Sequence, residues 1–67
     1  MSARNYDVQD GELVYRIPGA RHGDGQVDSD KNPVWLLIAD IRDIAAIARY
    51  IDARSGDEAA IRAALAV

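Results

Sequence analysis

Between Pro18 and Pro33, the only two prolines of this chain, stand three aspartates, Asp24, Asp28 and Asp30, beside Arg21 and the sole histidine, His22. Carboxylates and an imidazole gathered on one segment could bind a divalent cation, move protons or meet a basic surface. The cation reading starts from Asp28-x-Asp30-x-Asn32, which copies the opening ligands of an EF-hand loop. It fails further on. The sixth position, where the sharp turn needs Gly, is Pro33, and the twelfth, where a bidentate Glu belongs, is Ala39. A weak divalent site on Asp24, Asp28 and Asp30 survives as the third-ranked reading, behind a solvated, turn-rich loop.

Nucleophilic chemistry fares worse. Ser2, Ser29 and Ser55 are the only hydroxyls besides the tyrosines, and there is no Thr or Cys. A Ser29–His22–Asp triad would sit on one flexible segment, whereas a working triad needs rigid support. Gly23-x-Gly25 lacks the Gly-Lys-Ser/Thr ending of a phosphate loop, and Asp24 between the glycines repels phosphate. The residues therefore predict no enzyme, no catalytic residue, no metal centre and no cofactor.

Size and charge narrow the classes that remain. At 67 residues the chain is one small domain, near the limit at which a hydrophobic core suffices, so oligomerisation is one expected source of stability. Its net charge is -3, with acids and bases spread over both halves and no basic patch, which argues against direct nucleic-acid binding. No apolar run nears the roughly 20 residues of a membrane span, no signal-peptide core is visible, and cysteine is absent. A cytoplasmic protein is expected.

The elements that must position the loop follow from pattern. Residues 4–17 alternate polar and apolar around Asp10-Gly11, the pair favoured in two-residue hairpin turns that need positive φ twice. That register sets Tyr6 opposite Tyr15, Val8 opposite Leu13 and Gln9 opposite Glu12. It puts Tyr6, Val8, Leu13, Tyr15 and Ile17 on one face, and Asp7, Glu12 and Arg16 on the other. After the loop at 18–33, the apolar run 34–39 predicts a strand covered on both faces or central in its sheet.

Asp40 is the expected cap of a helix over about 41–53, with Ile41, Ile44, Ala45, Ile47, Ala48 and Ile51 inward, and Arg49 and Tyr50 outward. Ser55-x-x-Glu58 fits a capping box that opens a second helix over about 56–66. In that helix Ile61, Ala64 and Leu65 face inward, and Glu58 reaches Arg62. The two helices have helix-turn-helix spacing. Asp57 and Glu58 at the reading end carry the wrong charge for DNA, so an αα-hairpin packed on the sheet is expected.

The fold class is thus α+β: a small antiparallel three-stranded sheet followed by two packed C-terminal helices. Helices on one face would leave Trp35 and Leu37 exposed beside Val14 on the other, a surface suited to a partner. The expected function is non-enzymatic binding to a protein partner through Asp24, Asp28, Asp30, Arg21 and His22, joined by Trp35. Such carboxylates would cover a basic surface, for instance on a nucleic-acid-binding complex. Free-standing chains of this size often come from mobile elements, which points to an inhibitor such as an anti-CRISPR or anti-restriction protein. The alternative is a structural or accessory subunit acting as a homodimer.

Overall fold

A computed structural model describes residues 5–66. Three strands, β1 (Tyr6–Gln9), β2 (Glu12–Arg16) and β3 (Trp35–Asp40), are followed by α1 (Ile44–Ala53), a single 3₁₀ turn (Ser55–Asp57) and α2 (Glu58–Leu65). The sheet is an antiparallel meander in the order β1-β2-β3. The α+β class, the strand count and the C-terminal helix pair are as expected; residue 4 of the hairpin lies outside the described residues.

The hairpin forms in the predicted register, with Tyr6 opposite Tyr15, Val8 opposite Leu13 and Gln9 opposite Glu12. Asp10 and Gly11 both take positive φ, 53° and 77°, the pair of conformations a type I′ turn demands. β2 is the shared central strand. Arg16 donates its N–H to Asn5 on the β1 side, and Ile17 donates to Val34 on the β3 side. Backbone groups of β2 therefore alternate between its two neighbours.

Both helices lie on the face that carries Tyr6, Val8, Leu13 and Tyr15, with α2 against β1 and α1 against β3. Leu13 and Ile61 are fully buried there beside Tyr6, Ile47 and Ala64, and Ile38, Ala39, Tyr50, Ile51 and Leu65 close the margin.

Tyr6 anchors a polar seam at the edge of this core. Its ring lies 4.8 Å from that of Tyr15 and meets Tyr50 edge-on at 6.3 Å, and its hydroxyl donates to Asp57 Oδ2 at 2.8 Å. The Arg54 guanidinium stands 5.5 Å from the Tyr50 ring centre and 5.7 Å from that of Tyr15, within cation–π range. Burial, reinforced by the Tyr50 and Asp57 side chains, raises the Tyr6 phenol well above its ordinary value. A phenol whose pKa is higher folded than unfolded adds stability below the unfolded value, near 10, and loses it as pH rises toward the folded one. Alkaline unfolding is therefore expected to coincide with phenolate formation at Tyr6. Phenolate absorbance and far-UV circular dichroism followed together test this, and Tyr6→Phe should cost about 1 kcal/mol at neutral pH while removing that alkaline step.

Four local expectations are corrected. β3 runs to Asp40, which pairs with Glu12, so it reaches one residue past the predicted end and delays the helix. Asp40 is not the cap. Its carboxylate is held by the guanidinium and backbone N–H of Arg42, which lower its pKa to about 2, while Asp43 caps α1 by accepting the Ala46 N–H at 3.0 Å. The Ser55–Glu58 box does not form: no side-chain cap bond opens α2, because Ser55 starts the 3₁₀ turn and Glu58 binds Arg62 at 2.8 Å. Tyr50 turns inward against Tyr6, while Ile44 at the start of the helix turns out.

A fifth correction concerns β3 itself, which is an edge strand and not a covered one. Opposite Leu13 and Val14 it carries a bulge, with Leu13 facing Ala39 and Val14 facing Leu37. The bulge brings Ile38 and Ala39 both toward the core. Before it, Leu36 is 51% exposed on the helix side and Leu37 55% exposed on the other.

Candidate functional site

The segment from 18 to 33 is an ordered lobe built on one arginine. Arg16, the last residue of β2, projects from the sheet face opposite the helices. Its guanidinium meets Asp28 through Nη2 at 2.7 Å and through Nε at 3.2–3.3 Å, and meets Asp30 through Nη1 at 3.1 Å. Side-chain exposure separates the two carboxylates: Asp28 is 4% exposed, Arg16 10% and Asp30 90%. Asp28 Oδ2 also accepts the Val34 N–H at 2.7 Å, so one carboxylate ties the end of β2 to the start of β3. Arg16 and the Val34 N–H together hold the Asp28 carboxyl below the usual range.

Two small turns complete the lobe. His22 accepts the Gly25 N–H and donates its own N–H to Gln26, a tight turn in which Gly25 takes φ 89°. Asp24 Oδ1 accepts the Gln26 N–H at 3.0 Å, and Arg21 Nη1 donates to the Gly25 carbonyl at 3.1 Å. Ser29 and Asn32 exchange backbone hydrogen bonds around Asp30-Lys31, and the His22 imidazole Nε2 sits 3.0 Å from the Asn32 carbonyl. His22 thus pins one turn to the other.

The predicted contact residues separate by environment. Asp24, Asp30 and Arg21 are exposed on the lobe, His22 is half-buried in it, and Trp35 stands next to Arg16 across the sheet. Asp28 is withdrawn from any partner, because its oxygens are engaged by Arg16 and Val34. With Asp28 neutralised, the exposed charges left on the lobe are Asp24 and Asp30 against Arg21 and Lys31. Among the described residues no three His, Cys, Asp or Glu side chains gather closely enough to hold a metal ion.

Arg16 is the organising residue that pattern reasoning assigned only to a polar face. The signal that could have found it was an Arg flanked by Tyr15 and Ile17 at the mouth of a segment carrying Asp-x-Asp.

A second surface lies on the opposite side of the molecule. Ile41, Ile44, Ala48 and Ile51 form one wall of an open groove of about 420 Å³, Leu65 and Arg62 form the other, and Ile47 lies at its floor. Ile44 is 76% exposed. Ile41 belongs to this wall and not to the helix: its N–H is bound by the Gly11 carbonyl of the hairpin turn. Arg62 is occupied by Glu58, whereas Asp52 at the rim has no ion-pair partner among the described residues. No described helix is long and apolar enough to cross a membrane.

No protein-family model, curated protein or solved structure matches this chain.

Proposed function

We propose that this chain is a small protein-binding module, acting by contact and not by catalysis, whose groove between α1 and α2 receives an amphipathic helix of a protein partner. The observation that carries this is the exposure of Ile44 at the mouth of an open apolar groove that continues through Ala48, Ile51 and Leu65. Ile44, Ala48 and Ile51 follow one face of α1 over about 10 Å, the span over which a partner helix places residues at i, i+3 or i+4, and i+7. The unpaired Asp52 favours a partner with a basic residue flanking its apolar stripe.

A second reading keeps the lobe as the contact. An inhibitor of the mobile-element kind, of which anti-CRISPR proteins are one type, would cover a basic surface with Asp24 and Asp30. The exposure of Asp30 on an ordered support favours it.

Ile44→Asp and the double variant Asp24→Asn with Asp30→Asn separate the two readings. With the partner captured from the host and its affinity measured, Ile44→Asp is expected to weaken binding by at least about tenfold, as for a central contact residue. Being exposed, Ile44 should change stability by no more than about 0.5 kcal/mol. Unchanged affinity in Ile44→Asp with loss in the aspartate variant would replace the groove by the lobe.

A further inference from the structure

We infer that the outer edge of β3 is a self-association site, at which two copies of this chain pair Trp35–Leu37 antiparallel and join their sheets into one. The proposal uses no residue of the α1–α2 groove or of the 18–33 lobe, so it stands or falls apart from both readings above.

The ladder shows which groups are free. Ile17 donates to the Val34 carbonyl at 3.0 Å, which turns that carbonyl toward β2, so two residues along Tyr15–Leu36 is the hydrogen-bonded pair. Arg16–Trp35 and Val14–Leu37 are the intervening pairs, and the N–H and C=O of Trp35 and Leu37 point away from β2. Among the described residues no other backbone or side-chain group bonds to them.

The two edges of the sheet differ in how they are defended. On β1 the outward amide of Val8 is taken by the carboxylate of Asp7 at 2.9 Å, and Asp7 also holds Gln9. An acid that binds its own strand blunts that edge. β3 has no such group: from Trp35 to Leu37 it is apolar on both faces, and its bulge begins only after Leu37.

A second copy fits this stretch because the stretch is self-complementary. With a two-fold axis at Leu36, Trp35 of each copy exchanges hydrogen bonds with Leu37 of the other. Leu36 then meets Leu36 on the helix side, and Trp35 meets Leu37 on the lobe side. This covers Leu36 and Leu37, whose exposure on opposite faces no single docking surface on one face of the sheet would relieve. No charged residue lies in the paired stretch to oppose it. Isologous pairing of this kind closes at two copies, so it adds core to a very small domain without building a fibre.

Sedimentation equilibrium from micromolar to millimolar chain concentration tests the proposal, together with isotope-filtered contacts between copies. The expected result is a reversible dimer with Leu36–Leu36 and Trp35–Leu37 contacts across it. A chain synthesised with an N-methyl group at Leu37 loses only the outward N–H and should be monomeric with an unchanged far-UV spectrum. Leu37→Lys should be monomeric also, and Ile44→Asp should still dimerise. A monomer at every concentration overturns the inference, as does a dimer that survives N-methylation of Leu37.

Discussion

Leu13→Ala is expected to unfold a substantial fraction of the molecule at 25 °C. Leu13 is fully buried at the centre of β2, between Val8 on β1 and Ala39 on β3, with Ile47 and Ile61 in the same core cluster. Truncating a buried Leu to Ala costs about 2–5 kcal/mol, because the neighbours relax only partly into the cavity. A 67-residue domain has a total stability of roughly 3–10 kcal/mol, so this one change takes a large share. Urea unfolding read by circular dichroism should show a lower midpoint with an unchanged slope. Ile44→Ala, on an equally apolar but exposed residue, should move the midpoint hardly at all. Equal effects from the two would mean that the helices do not pack on the β2 face as described.

What the residues disclose about the fold depends on whether local chemistry and long-range pattern agree. In the hairpin they agree. Asp10-Gly11 accepts only a few turn geometries, and alternation from Tyr6 to Ile17 accepts only one register, so pairing could be read residue by residue. At the start of α1 they compete: Asp40 and Asp43 are both good caps, and the choice is made by β3 pairing Asp40 with Glu12, a contact across the sheet. At α2 the box residues were present, but Glu58 found Arg62 and Asp57 found Tyr6. A continuous apolar run shows that a strand has two apolar faces, not what covers them. That is why β3 looked central and is an edge.

The lobe was legible as a segment and opaque as a structure. Its length and composition marked it from the start, and Asp28 and Asp30, singled out there, both reach one guanidinium. The identity of that guanidinium was hidden. Alternation alone puts Arg16 on a polar face, and its partner lies twelve residues on, across turns whose closure no periodicity encodes. The groove was hidden for the opposite reason. Ile41, Ile44 and Ala48 continue the helical stripe of buried positions, yet α2 is short and leaves them uncovered.

Asp28→Ala should open the lobe and produce the largest loss of stability among the carboxylate variants. It removes the acceptor of the Val34 N–H and leaves a guanidinium of which little is exposed with only the solvent-exposed Asp30 as partner. Breaking one partner of a sequestered ion pair is far costlier than removing both, and a fall in melting temperature on the order of 10 °C is expected. Asp30→Ala, at a carboxylate almost fully in water, should have little effect, although both bind the same side chain. The pH dependence follows from the depressed Asp28 pKa. Its contribution is complete above the unfolded value, near 4, and is lost as pH falls through the folded value below it. Wild-type protein should therefore lose stability on acidification in a step that Asp28→Ala lacks, and amide exchange at Val34 and Asp28 should quicken over the same range. The decisive comparison is Arg16→Met combined with Asp28→Leu, which replaces the pair by apolar side chains. The double variant should regain most of the stability lost in Asp28→Ala, because the single change does its damage by taking from a sequestered charge its buried partner. If the double variant is as unstable as the single one, the pair fixes the lobe through geometry that only a guanidinium and a carboxylate supply.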